Sequence, residues 1–314
     1  MRKMRLSGAR KKCDKKLSNL ELQIKKFYKL QEYQLTRSWQ EYMKKGNAKI
    51  GKVWKDYEDA KATGDEDLIR KTGIAHRKAV EEYTLQNQHY KNMVNETAEQ
   101  MAHAYDSAVK IINGELPEMY AISYNAVGEA AKSIVKGYSF ELMDREVARN
   151  LLIGNKEYMN YFKQANIPKS ERWNKKLIHS QMSQGIMQGE SIDKLANRIY
   201  HIVNSNSRSA VLHARTMTTG IENRGRQDGF DKAEQDGIVV DKEWIATGDD
   251  RTRDWHAELN GQVISNNEKF ENEYGEIAFP GDADAEPENI YNCRCALGGV
   301  VVGFKTKDGK INYV

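Results

Sequence analysis

Apolar residues recur at intervals of three and four over most of the chain before position 236, which is the spacing of one helical face. One stripe starts at Leu20 and Ile24. A longer stripe keeps a single apolar face between positions 83 and 112. The end of its helix is predicted at Asn113-Gly114 and Pro117, because glycine and proline are typical of the positions just beyond a helix. The pattern therefore predicts a body built from long helices.

The hydrophobic pattern changes after the helical region. Positions 238–240 and 242–246 have the residues of β-strands. A short helix is predicted over 253–259, and a strand interrupted by glycine is predicted over 297–304. These short, mixed elements predict a small α+β module.

Together the patterns predict a mainly α protein in three parts. They are a basic N-terminal arm (1–16), a body of long helices (17–236) and a small α+β C-terminal module with a Cys/His motif (237–314). A chain of 314 residues is long enough for two hydrophobic cores. Its 39% hydrophobic and 30% charged residues, with only 4 prolines, favour long solvated helices over a β-sandwich or a disordered chain.

Charge is divided unevenly along the chain, although the net charge is only +4. Residues 1–16 carry eight Lys and Arg against the single Asp14, whereas the chain from Asp231 onward carries nine basic and eighteen acidic residues. A contact with a polyanion is therefore expected on the N-terminal side. The candidate contacts with nonspecific double-stranded DNA are Arg10, Lys11, Lys12, Lys15 and Lys16. The alternative is a lysine-rich surface that only solvates the helices.

The sequence contains no apolar stretch near the roughly 20 residues that a membrane-spanning helix needs. The first twenty residues are basic but lack the apolar core of a secretory signal. We therefore expect a protein that is made and kept in a cytoplasm, with no membrane partner.

The most informative segment is W-I-A-T-G-D-D-R-T-R-D-W-H-A-E-L-N-G at 244–261, followed by F-P-G-D-A-D-A-E-P at 279–287 and N-C-R-C at 292–295. The ordered set resembles the C-terminal domain of phage Mu F-like minor head proteins, the head-morphogenesis family. The residues that carry this resemblance, called the C-terminal motif below, are Trp244, Asp250, Arg253, His256, Leu259, Gly261, Pro280, Asn292, Cys293, Arg294 and Cys295. Asn260 departs from the family, where many members have Asp.

The resemblance implies a structural protein of a tailed bacteriophage rather than an enzyme. It implies a minor head protein that acts in head morphogenesis near the portal, with a part in DNA packaging or ejection. The implied partners are the portal protein and the major capsid or scaffolding protein. The implied location is the inner head of the virion, and the host cytoplasm during assembly.

His256, Cys293 and Cys295 are of the types that bind zinc. A fourth ligand would have to be Asp250, Asp254, Asp284 or water. The alternative is that the histidine packs and forms hydrogen bonds while the two cysteines are small buried thiols that hold the last strand. The sequence favours this second interpretation, so no cofactor is expected, with zinc as the alternative.

A rival hypothesis makes the C-terminal module an enzyme that acts on nucleic acid or on a nucleotide. His256, Asp250 and Arg253 would then supply acid/base and phosphate-binding groups. Arg–carboxylate ion pairs that fix the turn near Asp249 against the N-C-R-C segment explain the same charged residues. The sequence favours the ion pairs, because it lacks a phosphate-binding glycine loop and a helical His pair with Glu.

Overall fold

Six long and medium helices make up most of the chain. The computed structural model describes residues 1–162, 165–306 and 311–313, and the side chains of 46–49 lie outside the description. The helices are α1 (Ser7–Thr63), α2 (Glu66–Glu81), α3 (Gln88–Ile134), α4 (Arg145–Gly154), α5 (Ile167–Met187) and α6 (Ile192–Gln235). A π-helical turn (Glu82–Gln86) precedes α3, and a 3-10 turn (Lys156–Tyr161) follows α4. The prediction of a mainly α chain with long helices is confirmed.

Short strands and two one-turn helices follow α6. In chain order they are β2 (Ile238–Ile245), α7 (Asp254–Ala257), β3 (Val263–Ser265), β4 (Phe270–Asn272), β5 (Gly275–Ile277), α8 (Pro287–Ile290), β6 (Ala296–Lys305) and β7 (Ile311–Tyr313). The strand β1 (Arg2–Lys3) lies at the other end of the sequence. The predicted small α+β module is confirmed, and its two longest strands lie where the sequence predicts them.

An antiparallel sheet with the order β1-β6-β2-β3 forms the centre of this module, and β7 also pairs with β6. Strand β6 is buried along most of its length, and it pairs with the whole of β2. Gly299 of β6 lies against Phe230 of α6, where an added Cβ atom would come within 2.6 Å of the phenyl ring. Gly299 therefore lets the sheet approach the helix closely.

The chain divides into two compact units. The first comprises Met1–Leu22, Val109–Lys163 and Val211–Val314, and the second comprises Gln23–Ala108 and Gln164–Ala210. These units differ from the predicted boundaries after residues 16 and 236, because α1, α3 and α6 each contribute residues to both units.

The basic arm (1–16) is folded into the first unit. Its strand β1 pairs with Val300 and Val301 of β6, and α1 already begins at Ser7. Four apolar side chains alternate with the basic ones and are buried: Met4, Leu6, Ala9 and Cys13. Their burial explains why the basic segment is ordered.

Pro117 lies inside α3, so the predicted helix end at this residue is wrong. Leu116, Met119 and Tyr120 around it are almost fully buried. An interior proline costs a helix about 3 kcal/mol, which is comparable to the gain from burying one or two large apolar side chains. Tertiary packing therefore carries the helix past the proline.

The second unit has an aromatic core of its own. Trp39 is fully buried and donates a hydrogen bond from Nε1 to Oγ1 of Thr97 over 3.0 Å. Its ring meets those of Tyr42 and Tyr90 edge to face, with centroids 5.8 and 5.9 Å apart.

No helix within the described residues is long and apolar enough to cross a membrane.

Candidate functional site

Three residues of the C-terminal motif meet inside the first unit. His256 lies on α7, and Cys293 and Cys295 lie just before β6. The potential ligand atoms of the three side chains all lie within 4.8 Å of one another. Their residues are only 2%, 2% and 5% exposed, respectively. The fold therefore brings the histidine and both cysteines of the C-terminal motif together in one buried cluster, called the Cys/His cluster below.

Both cysteine sulfur atoms face the same ring nitrogen. The Sγ atoms of Cys293 and Cys295 each lie 3.7 Å from Nδ1 of His256. The backbone N–H of Cys295 also donates to Sγ of Cys293 over 3.4 Å, which curls the Cys-x-Cys segment around the sulfur. The hydroxyl of Thr219 on α6 donates to the carbonyl oxygen of Cys293 over 2.7 Å and holds the segment in place.

Two asparagines orient the ring of His256. Its Nε2 lies 3.3 Å from Oδ1 of Asn289, and Asn289 exchanges two amide hydrogen bonds with Asn272, of 2.9 and 3.3 Å. Because an amide oxygen can only accept, Nε2 carries the proton in this arrangement. The lone pair of Nδ1 is then directed at the two sulfur atoms.

The cluster favours a thiolate at one of its two sulfur atoms. A hydrogen bond from Cys293 lowers the pKa of Cys295. The same bond and burial raise the pKa of Cys293. A deprotonated sulfur beside an oriented imidazole is the form in which cysteine binds metals or acts as a nucleophile.

Trp244 packs directly against the histidine. Its side chain is fully buried, and its ring meets those of His256 and Phe270 edge to face, with centroids 5.2 and 5.3 Å apart. The carbonyl oxygen of Trp244 accepts a hydrogen bond of 2.8 Å from the N–H of Gly261. The first motif residue therefore forms one wall of the Cys/His cluster.

The Arg–carboxylate pair that the sequence predicts next to the N-C-R-C segment is present. Arg294 donates two hydrogen bonds to Asp249, from Nη1 over 2.6 Å and from Nη2 over 2.7 Å. The guanidinium holds the pKa of this carboxyl well below its usual range. The carbonyl oxygen of Arg294 in turn accepts bonds from Thr247 and Arg10. This pair closes the turn after β2 against the cysteine segment.

The remaining motif residues support loops. Leu259 is buried, and Arg253 donates a short hydrogen bond to the carbonyl oxygen of Tyr291. The N–H of Asn292, which has a positive φ of 55°, donates to Oγ1 of Thr216 over 3.0 Å.

Asp250, which the rival hypothesis names as an acid/base group, is exposed. Because both ring nitrogens of His256 face thiols or an amide, the acid/base set of the rival hypothesis is not assembled around this ring.

The sequence analysis missed a polar residue of α6 that joins several loops. Asn223 is buried, and its Nδ2 donates to the carbonyl oxygens of Pro280 and Cys295 over 2.9 and 3.2 Å. Its Oδ1 accepts a bond of 2.8 Å from the N–H of Leu297. One helical turn further, buried Arg226 donates to the carbonyl oxygen of Leu297 over 2.9 Å. The only signal in the sequence is the polar run at 222–224, and the structure buries its first two residues.

The proposed DNA contacts fall into two groups. Arg10 donates to the carbonyl oxygen of Arg294 over 3.0 Å, and Lys16 forms an ion pair of 2.7 Å with Glu118. The other three candidates are exposed: Lys11, Lys12 and Lys15.

The third cysteine, Cys13, is buried outside the Cys/His cluster, and burial raises the pKa of its thiol to about 12.

A buried lysine lies in the same unit. Lys242 of β2 is 2% exposed, its Nζ lies 3.4 Å from Oε1 of Gln227, and it lies 5.8 Å from the centroid of the Phe270 ring. Burial lowers its pKa from 10.5 to about 8, because the charged form loses its hydration.

This lowered pKa makes stability depend on pH. Between pH 8 and 10.5 the unfolded chain holds more protons than the folded chain, so the contribution of Lys242 to stability rises as pH rises. We expect Lys242→Met to be more stable than the unmodified chain at pH 7. Its unfolding free energy should lack the increase that Lys242 causes between pH 8 and 10.5, which is up to about 3 kcal/mol at about 1.4 kcal/mol per pKa unit. Urea unfolding at several pH values between 7 and 10.5 measures the difference.

Lys269→Met is the matched control, because that lysine is more than half exposed. Its pH profile should follow that of the unmodified chain. Equal pH profiles for all three proteins would show that Lys242 titrates normally in the folded state.

Comparison with known proteins identifies the part of the chain that has relatives. Residues 176–298 match the sequence profile described as "Phage Mu protein F like protein". This range contains His256, Cys293 and Cys295, together with the whole of α6.

Two characterised proteins are similar to the chain. It is 32% identical over 123 residues to "Minor head protein GP7" of Bacillus phage SPP1, which covers 39% of each chain. It is 30% identical over 128 residues to "NAD(+)--arginine ADP-ribosyltransferase EFV" of Enterococcus faecalis, which covers 41% of this chain and 26% of that protein. The chain therefore spans well under half the length of either relative. No solved structure matches it.

Proposed function

We propose that this chain, whose residues 176–298 match the phage Mu F-like family and resemble a phage minor head protein, is itself a minor head protein that acts in head morphogenesis near the portal. The observation that supports the proposal most directly is the family match over the segment that contains the Cys/His cluster. In this fold the buried motif residues include Trp244, His256, Leu259, Cys293 and Cys295, and a hydrogen bond from Thr219 joins α6 to Cys293. Such an arrangement suits a structural part of a large assembly.

The proposed partners are the portal protein and the major capsid or scaffolding protein. The proposed location is the inner head of the virion, with the host cytoplasm as the place of assembly. A minor head protein of SPP1 is among the relatives, and this similarity supports the proposal.

The decisive experiment is mass spectrometry of particles from the phage that encodes the chain. Procapsids and DNA-filled heads are purified separately, and tails serve as the control fraction. The proposal requires the chain in both head fractions at a few copies per particle. A chain that is abundant in the lysate and missing from both head fractions would refute the proposal.

Nonspecific DNA binding is proposed for the exposed lysines at the start of α1. Replacing Lys11, Lys12 and Lys15 with Gln should reduce the slope of log affinity against log salt by about 2 to 3, because each phosphate contact contributes about 0.9 to the slope. Fluorescence anisotropy with a random-sequence duplex at a series of salt concentrations measures this slope.

The control for the DNA experiment is a second triple variant with the same change in charge. Lys71, Lys78 and Lys91 are also exposed lysines on helices, so their replacement by Gln matches the first variant. If both variants reduce the slope equally, the binding reflects net charge and not a contact at the start of α1.

The alternative function is an enzyme that acts on nucleic acid or a nucleotide. One observation favours it, which is the similarity to a protein named as an ADP-ribosyltransferase, of which the chain covers only 26%. Incubation with NAD⁺ and an arginine-containing acceptor tests this alternative. Turnover that is lost in His256→Ala, while incorporation into heads is kept, would favour the enzyme.

A further inference from the structure

The spacing of the Cys/His cluster matches that of a metal site. Sulfur and nitrogen atoms on one tetrahedral zinc ion lie roughly 3.6 Å apart, because sulfur binds zinc at about 2.3 Å and nitrogen at about 2.0–2.1 Å. Both sulfur atoms, of Cys293 and of Cys295, lie 3.7 Å from Nδ1 of His256. The two sulfur atoms lie within 4.8 Å of each other, and they must lie roughly 3.8 Å apart for one tetrahedral ion to contact all three atoms.

Hydrogen bonding uses the three ligand atoms only in part. Nδ1 of a neutral imidazole has one lone pair and accepts one S–H hydrogen bond, yet both sulfur atoms lie at the same distance from it. A thiol is also a weak donor, so two buried thiols beside one nitrogen gain little from packing there. A cation between the three atoms uses all of them.

The surroundings of His256 are those of a metal ligand. A histidine that binds a metal through one ring nitrogen almost always donates a hydrogen bond from the other, which fixes the tautomer and the ring orientation. Asn289 accepts that bond from Nε2, and Asn272 holds Asn289 in place. Asn289 is itself fully buried.

We propose that His256, Cys293 and Cys295 bind one zinc ion that joins α7 to the segment before β6. Mixed nitrogen and sulfur ligands favour zinc over magnesium or calcium, which prefer oxygen. The cluster found among the described residues contains three ligands, so a water molecule is assigned to the fourth position. The role is structural, because the ion links residues that are 37 and 39 positions apart in a module of short elements.

The inference is independent of the proposed function and is tested on the full-length protein. The protein is expressed in zinc-supplemented medium and purified by gel filtration, and its zinc content is then measured by elemental analysis. One zinc ion per chain is expected in the unmodified protein. Cys13→Ser is the control for thiols in general, because Cys13 is also buried but lies outside the cluster, and it should keep the ion.

Variants of the ligands should lose the ion. Cys293→Ser, Cys295→Ser and His256→Ala are expected to bind zinc at least tenfold more weakly in competition with a chromophoric chelator. Asn289→Ala removes only the orienting hydrogen bond and should weaken zinc binding by about 10- to 100-fold. Zinc that stays bound to the ligand variants with full affinity would overturn the assignment.

A spectroscopic measurement on the unmodified chain covers the case in which a ligand variant does not fold. Zinc is removed with a chelator, which should lower the melting temperature, and Co²⁺ is added instead. Bands of a tetrahedral cobalt–thiolate centre are expected in the near-ultraviolet and visible range. A protein that contains no zinc, or that shows no cobalt–thiolate bands on reloading, would overturn the proposal.

Discussion

Replacing Trp244 with alanine is expected to lower the free energy of unfolding by about 3–5 kcal/mol, the usual range for a fully buried aromatic residue. The indole is completely buried between His256 and Phe270, and it lies on β2 directly opposite Leu297 of β6. The substitution leaves a large cavity beside the Cys/His cluster, which the surrounding strands cannot fill without losing their pairing.

Urea denaturation of the two proteins, followed by circular dichroism, measures this loss. Trp173→Ala is the control, because it removes the same side chain from a position that is 55% exposed. A surface substitution of this kind should change stability by at most about 0.5 kcal/mol. Comparable losses in the two variants would mean that Trp244 does not pack as tightly as the structure shows.

The second large effect is expected for Asn223→Ala, with a loss of roughly 3 kcal/mol. The variant leaves the carbonyl oxygens of Pro280 and Cys295 and the N–H of Leu297 without the bonds that Asn223 supplies. A buried polar group that loses its partner costs about 1–3 kcal/mol. Because three such groups are affected together, the cost exceeds that of an ordinary hydrogen bond.

Asn204→Ala provides a matched control for this substitution. Asn204 lies on the same helix and donates to the carbonyl oxygen four residues earlier, as Asn223 also does, but it is only half-buried and its hydrogen bond is exposed to solvent. Its loss should be small. Hydrogen exchange gives a second readout, since the amide of Leu297 should exchange much faster in Asn223→Ala than in the control.

The sequence predicts the helices well because their apolar spacing reports burial directly. It fails at Pro117, where local backbone chemistry favours a helix end but the burial of Leu116 and Met119 outweighs it. It also places the unit boundaries differently, because a contact such as that of β1 with β6 joins residues almost 300 positions apart. No local pattern records such a contact.

The candidate site was predictable only in its side chains of distinctive chemistry. His256, Cys293 and Cys295 stand out because few residue types bind metals, and Arg294 and Asp249 stand out as opposite charges. Asn289 and Asn223 are ordinary polar residues in the sequence, and their importance comes entirely from what surrounds them. The sequence favoured packed thiols, whereas the positions of both sulfur atoms around one nitrogen support the zinc proposal.

The position of β6 in the sheet has a consequence for synthesis on the ribosome. Strand β1 is translated before the rest of the sheet, and its partner residues Val300 and Val301 follow almost 300 codons later. At about 5–20 residues per second, β1 waits roughly 15 to 60 s for its partner. Strand β2 also lacks its long neighbour until β6 leaves the exit tunnel. A messenger RNA truncated before the codon of Ala296 would therefore yield a nascent chain in which β2 lacks β6. Such a chain is a natural substrate for chaperones and proteases.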